Sequence, residues 1–131
     1  MFAENIESQK RYRTFLLALV YLILIMMGIA DGTSPYGLSQ ERRFFYSLAF
    51  ALVLAHVCIV DCKIVGKPLS IFSYWLLFML YGIAVPISII RSRGLRGLAY
   101  VTAHFFGMSL VLIISFYLSD LFLVRFRLML R

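Results

Sequence analysis

The stretch Leu69–Ile90, LSIFSYWLLFMLYGIAVPISII, decides the architecture of this chain. It runs without a charged residue, and as a helix rising 1.5 Å per residue it would reach ~33 Å. The hydrocarbon core of a bilayer is ~30 Å thick, so the stretch is long enough to cross it. Pro86 and Gly82 sit inside it, and three arginines follow at once in RSRGLRG (Arg91–Gly97). A segment that crosses and one that enters and returns would put those arginines at opposite ends of the molecule. Crossing is the favoured reading; Pro86, Gly82 and the charge conflict described below motivate a re-entrant alternative.

Outward from that stretch, Thr14–Ala30, Phe44–Val60 and Leu98–Ser119 have the same character. Unpaired backbone groups are costly in lipid, and runs this long do not resemble the shorter alternating strands of a barrel. All four runs therefore read as helices. Their connections, Asp31–Arg43, Asp61–Pro68 and Arg91–Gly97, are short, which forces neighbouring helices to run antiparallel. The expected fold is all-α and integral to the membrane: one domain over 1–131, with four transmembrane helices in an up-down bundle. The basic, apolar segment Asp120–Arg131 is expected to extend the last helix or to lie along the membrane surface. KRYR (Lys10–Arg13), an apolar run and Gly28-Ile29-Ala30 also have the layout of a secretory signal, but the segment is read as a retained helix.

Composition supports the membrane class. The 131 residues are 63% hydrophobic, 16% aromatic and only 15% charged. An average soluble chain is roughly 45–50% apolar and about 25% charged, and a small soluble domain has no interior large enough for this excess. The net charge of +7 would suggest nucleic acid in a soluble domain. Here the basic residues sit at the edges of apolar runs, where anionic head groups act on them, so nucleic acid is set aside.

Four crossings would put Lys10, Arg11, Arg13, Lys63, Lys67, Arg125, Arg127 and Arg131 on one side, and Arg42, Arg43, Arg91, Arg93 and Arg96 on the other. The positive-inside rule then predicts both termini in the cytoplasm, in what reads as a bacterial inner membrane. The arginines of the opening stretch dissent, because they would have to cross. Boundary residues fit the map: Pro68 suits a first helical position, and Pro86 is expected to kink the third helix by freeing the carbonyl of Gly82.

Few side chains suggest chemistry. His56, Cys58, Asp61 and Cys62 lie close together, but no further Cys/His pair completes a tetrahedral site, so no metal is assigned. His56 and His104 are the intramembrane polar candidates. Their depths differ by ~9 Å in a four-span bundle, which argues against shared haem ligation and for an interhelical hydrogen bond from each. Ser47, Ala51 and Ala55, and likewise Ala99, Ala103 and Gly107, recur at every fourth position and form expected helix-packing faces. Arg91, Arg93, Arg96, Lys63 and Lys67 are the expected contacts to anionic lipid or another anion. No P-loop, nucleophile elbow or zinc-protease motif occurs, and no paired carboxylates are available for acid–base work.

Asp61, Gly66-Lys67-Pro68-Leu69, a tryptophan-bearing helix, Pro86 and Arg93-Gly94-Leu95-Arg96-Gly97 together resemble a pattern in small uncharacterised bacterial integral-membrane proteins. The resemblance covers about Asp61–Gly97. It implies a small integral-membrane architecture and no reaction, substrate or cofactor.

The expected function is therefore non-enzymatic: a small integral-membrane subunit that assembles with itself or a larger membrane complex and contacts anionic lipid through basic loops. The alternative is a homo-oligomeric channel or small permeation unit with an arginine-lined mouth.

Overall fold

The computed structural model describes residues 2–34, 36–67 and 69–129. These form α1 (Phe2–Thr33), α2 (Gln40–Ile64), α3 (Ile71–Met79), α4 (Tyr81–Arg93) and α5 (Leu95–Met129), with no strand among the described residues. Three helices, α1, α2 and α5, are long and apolar enough to cross a membrane, where four were expected. Pro68 and Arg131, which figured in the sequence reading, lie outside the described residues.

The difference arises in the opening stretch. Its continuous apolar run is divided at Leu80, whose φ of −120° and ψ of 36° leave the helical region. The two pieces hold 9 and 13 residues, about 14 and 20 Å of helix, and neither crosses a ~30 Å core by itself. Pro86 sits inside α4. The discontinuity is not at the proline but two residues before Gly82, whose carbonyl the proline displaces.

Contacts fix the direction of each helix. Arg13 of α1 reaches Asp61 near the end of α2, so these two helices run antiparallel. The Tyr81 ring lies 6.0 Å from that of Phe50, and Arg93 meets the same Asp61. Helix α4 thus runs parallel to α2 and ends level with it. Between Lys67 and Tyr81 the chain must descend from the level of Cys62 to that of Phe50, and α3 makes that descent. The pair α3–α4 enters from the Asp61 end and comes back to it. The sequence reading had this run pass once from end to end; instead α3 and α4 go in and come back, and the Arg91–Gly97 connection lies at the same end as Asp61–Lys67.

From Gly94 the chain turns again, and α5 descends beside α1 in the same direction. Tyr21 meets His104, Gly28 meets Ser115, and Gly32 meets Phe116 and Ser119. The start of α1 and the far end of α5 thus lie at opposite ends of the molecule, where the sequence reading had grouped both termini together. The basic segment after Asp120 continues α5 as helix to Met129.

Local chemistry explains the helix ends. Ser39 and Ser70 cap α2 and α3, each Oγ accepting a backbone N–H three residues on. Helix α2 closes with Gly66 at φ 77°: Lys67 N–H donates to the Cys62 carbonyl and Gly66 N–H to that of Lys63. That left-handed conformation is open to glycine at no steric cost, and the double bond pattern is a Schellman closure. Gly94, at φ 62° and ψ −139°, ends α4 in another conformation that favours glycine, its N–H donating to the Ile90 carbonyl. At the opposite end, the Asp31 carboxylate accepts from Leu38 N–H (2.9 Å) and from the Arg43 guanidinium (3.3 Å), tying the α1–α2 loop.

Two apolar clusters hold the fold. Leu16 and Val20 of α1 pack on Val57 and Val60 of α2. Ala55, Cys58 and Cys62 of α2 receive Leu77 of α3 and Ala84, Val85 and Ile89 of α4. Among the described residues, the backbones of α2 and α5 are not neighbours, though Tyr100, Val101 and Met108 of α5 pack against the clusters that α2 helps to build. α1 bridges them from behind, and α4 enters the gap from the Asp61 end.

Candidate functional site

Where α1, α2 and α4 converge, Asp61 is 1% exposed and shared by two arginines. Arg93 grips it in a bidentate fork, Nε to Oδ2 at 2.8 Å and an Nη to Oδ1 at 2.5 Å. Arg13 adds one bond, an Nη to Oδ1 at 2.7 Å. A buried carboxylate without partners is unaffordable in free energy, and the planar fork of arginine satisfies it geometrically as well as electrostatically. Two guanidiniums against one carboxylate leave one positive charge uncompensated. Arg13 Nε is buried with no hydrogen-bond partner, as is the Tyr100 hydroxyl.

Below the charges lies an aromatic layer. The Arg93 guanidinium stands 5.5 Å from the Tyr100 ring centre, within cation–π range. Tyr100 in turn meets His104 edge-on, with centroids 4.4 Å apart. His104 Nδ1 lies 2.9 Å from the Tyr21 hydroxyl of α1. This interhelical bond ties α5 to α1 one layer beneath the ion cluster.

Under that layer, α1, α2, α4 and α5 enclose a groove of about 320 Å³. Its walls are almost wholly apolar, with Leu17 and Leu24 behind, Leu54 and Val57 to one side, and Val101 and Leu112 to the other. Tyr100 and His104 supply its polar end. Gly82 and Phe105 line it and are both exposed, so it opens between α4 and α5.

The sequence-chosen residues fall in several places. Arg93 points inward to Asp61, whereas Arg91, Arg96, Lys63 and Lys67 are exposed around the same end. His56 is exposed, with Nε2 3.3 Å from the Tyr12 hydroxyl of α1. His56 is thus turned away from Cys58 and Cys62, which are buried free thiols, and Asp61 is already held by arginine. No group of three metal-ligating side chains occurs among the described residues. Ala51 and Ala55 are buried while Ser47 is exposed; Ala99 and Ala103 are exposed, and Gly107 packs against the Tyr21 hydroxyl.

Sequence reasoning passed over Arg13, Asp61 and Tyr100 as a unit. The signal was present: an acid at the end of an apolar run needs a cationic partner, and Arg13 begins the adjacent run. What hid Arg93 was the assumption that its segment crosses.

No family model matches the chain, and no curated protein or solved structure is detectably similar to it.

Proposed function

We propose that this protein is a non-enzymatic integral-membrane subunit that assembles with itself or a larger membrane complex and contacts anionic lipid through its basic end. The observation that carries the reading is the outer face of α5. None of its most apolar 18-residue window is buried within the chain, compared with 28% for α1 and 33% for α2. Phe105, Phe106, Leu110, Ile113 and Tyr117 all face outward. A face of that extent needs lipid or a partner to cover it. Two interior polar groups are meanwhile committed to interhelical pairs: Asp61 to arginines, and His104 to Tyr21.

Lys10, Arg11, Arg13, Lys63, Lys67, Arg91, Arg93 and Arg96 gather at the Asp61 end, whereas Arg42, Arg43 and Arg125 are at the other. By the positive-inside rule the Asp61 end faces the cytoplasm, with a bacterial inner membrane as the setting. Exposed Lys67, Arg91 and Arg96 meet phosphates there, while Arg93 is withdrawn to Asp61.

The test is native mass analysis of the protein taken from membranes in mild detergent, with cross-linking before extraction. Oligomers or a co-purifying membrane protein, with retained anionic lipid, are expected. A lone monomer with no cross-linked partner sinks the subunit reading. A permeation unit is the second reading, favoured by one feature: α3–α4 enters and returns, a course tolerated at membrane depth where backbone lines protein or a water-filled cavity. Planar-bilayer recordings separate the two, since a subunit alone gives no unitary conductance.

A further inference from the structure

We propose that the groove beneath the Arg13–Asp61–Arg93 cluster is a binding site for one anionic phospholipid, with an acyl chain in the groove and the phosphate at Arg13. The proposal rests on the lipid-contact reading above but makes a narrower claim: a single built site, distinct from phosphates gathered by exposed Lys67, Arg91 and Arg96.

Three independent observations converge on it. The first is charge. The cluster carries one positive charge more than it neutralises, and Arg13 spends only one donor on Asp61, while Arg93 uses two. Buried Arg13 Nε and the Tyr100 hydroxyl are both left unpartnered. Buried donors without acceptors are costly, and an anionic oxygen supplies what both lack. The second is shape. The groove follows α4 from Tyr81 to Ile89 and α5 from Tyr100 to Leu112, about 12 and 18 Å at the helical rise. A long, narrow, apolar space of about 320 Å³ suits a hydrocarbon chain and repels an aqueous solute. The third is the entrance. It opens sideways between Gly82 and Phe105, into the surroundings of the apolar α5 face, where a lipid arrives by lateral diffusion and without leaving the bilayer.

The charges stand at one end of the site, and no charged side chain lines the groove. The phosphate lies level with Arg13, immediately before the uncharged run that begins at Thr14, where head groups meet the hydrocarbon boundary. The chain runs from Tyr100 and His104 toward Leu112, away from the charges. Asp61 disfavours a second anion and, by holding Arg93, leaves Arg13 as the free hand.

The test uses full-length protein in detergent with phosphatidylglycerol, phosphatidylcholine and short-chain dihexanoyl-phosphatidylglycerol as probes, read by native mass analysis and thermal unfolding. Wild type is expected to hold one phosphatidylglycerol through collisional activation and to gain thermal midpoint with it. Phosphatidylcholine and the short-chain lipid should give neither effect. Arg13→Gln leaves the Arg93–Asp61 fork intact and should weaken binding about tenfold. Gly82→Phe, where an added Cβ meets nothing within 4 Å, should block the mouth and abolish the retained lipid. Tyr100→Phe removes an unpartnered hydroxyl: the lipid-free protein should become no less stable, yet lose lipid retention. A merely structural hydroxyl would not split the two readouts.

Equal gain from phosphatidylglycerol in wild type, Gly82→Phe and Tyr100→Phe overturns the groove site while leaving the basic-end reading standing. Equal gain from the short-chain lipid or from phosphatidylcholine also overturns it. No preference for anionic lipid in any protein removes both readings together.

Discussion

At the scale of single residues, the two arginines on Asp61 are not equivalent. Arg93 satisfies both carboxylate oxygens, whereas Arg13 touches one. Replacing Asp61 by Asn leaves two guanidiniums facing each other in a largely buried site. Breaking a buried pair in this way typically costs about 3–5 kcal/mol. Asp61→Asn is therefore expected to lower the thermal midpoint sharply in detergent, and a midpoint within a degree of wild type would mean that water, not Asp61, solvates the arginines. Arg93→Gln should destabilise more than Arg13→Gln, since only the former frees two carboxylate contacts. The reverse order in thermal unfolding would contradict the fork geometry. These residues were visible as charges in the sequence but not as a set, because their meeting depends on the level of Arg93, and that level depends on the course of α3–α4.

Among the elements, α1 and α5 lie close because Gly28 and Gly32 let them. A Cβ added at Gly28 would come 2.7 Å from Ser115 Cβ, and one at Gly32 would come 2.6 Å from the Phe116 carbonyl oxygen. The contact is glycine on one helix against Ser115 and Ser119 on the other, a small-residue packing that permits near approach of backbones. Gly32→Leu should therefore push the helices apart and cost about 1–3 kcal/mol of overpacking. Gly82→Ala, with open space around it, should be neutral or stabilise by up to about 1 kcal/mol. Thermal midpoints of the two variants measured side by side check both, and a Gly32→Leu protein as stable as Gly82→Ala would refute the close packing. Fourfold spacing pointed to Ala99, Ala103 and Gly107 but could not say where the row faces. Each step of four residues drifts about 40° around a helix, so the row that begins outward at Ala99 turns toward α1 by Gly107 and Ser115. Gly28 and Gly32 are the partner half of the same seam, legible as a four-residue repeat and missed because Asp31 between them marked the end of the run.

For the whole molecule, apolar length and composition were enough to read an all-helical membrane protein, and α1, α2 and α5 appear where the sequence placed them. They were not enough to count crossings. A run of apolar residues reports what surrounds it, and a helix pair that enters and returns sits among the same neighbours as one that crosses. The break at Leu80 carries no glycine or proline of its own; Gly82 and Pro86 nearby pointed to a return without placing it. Charge did: RSRGLRG was on the wrong side of a four-span arrangement, and the Arg93–Asp61 fork brings it to the basic end. Accessibility decides the matter directly. Cys58 and Cys62 are 0% and 1% exposed, so with those thiols shielded, single cysteines introduced at exposed positions report sidedness. Lys67→Cys and Arg96→Cys should label with an impermeant maleimide from one face of sealed vesicles. Tyr36→Cys, at a position 99% exposed, and Arg125→Cys should label only from the other. A four-span bundle would instead group Arg96 with Tyr36 and Arg125 with Lys67. That pattern would overturn the re-entrant course of α3–α4, and with it the geometry that brings Arg93 to Asp61 and closes the groove.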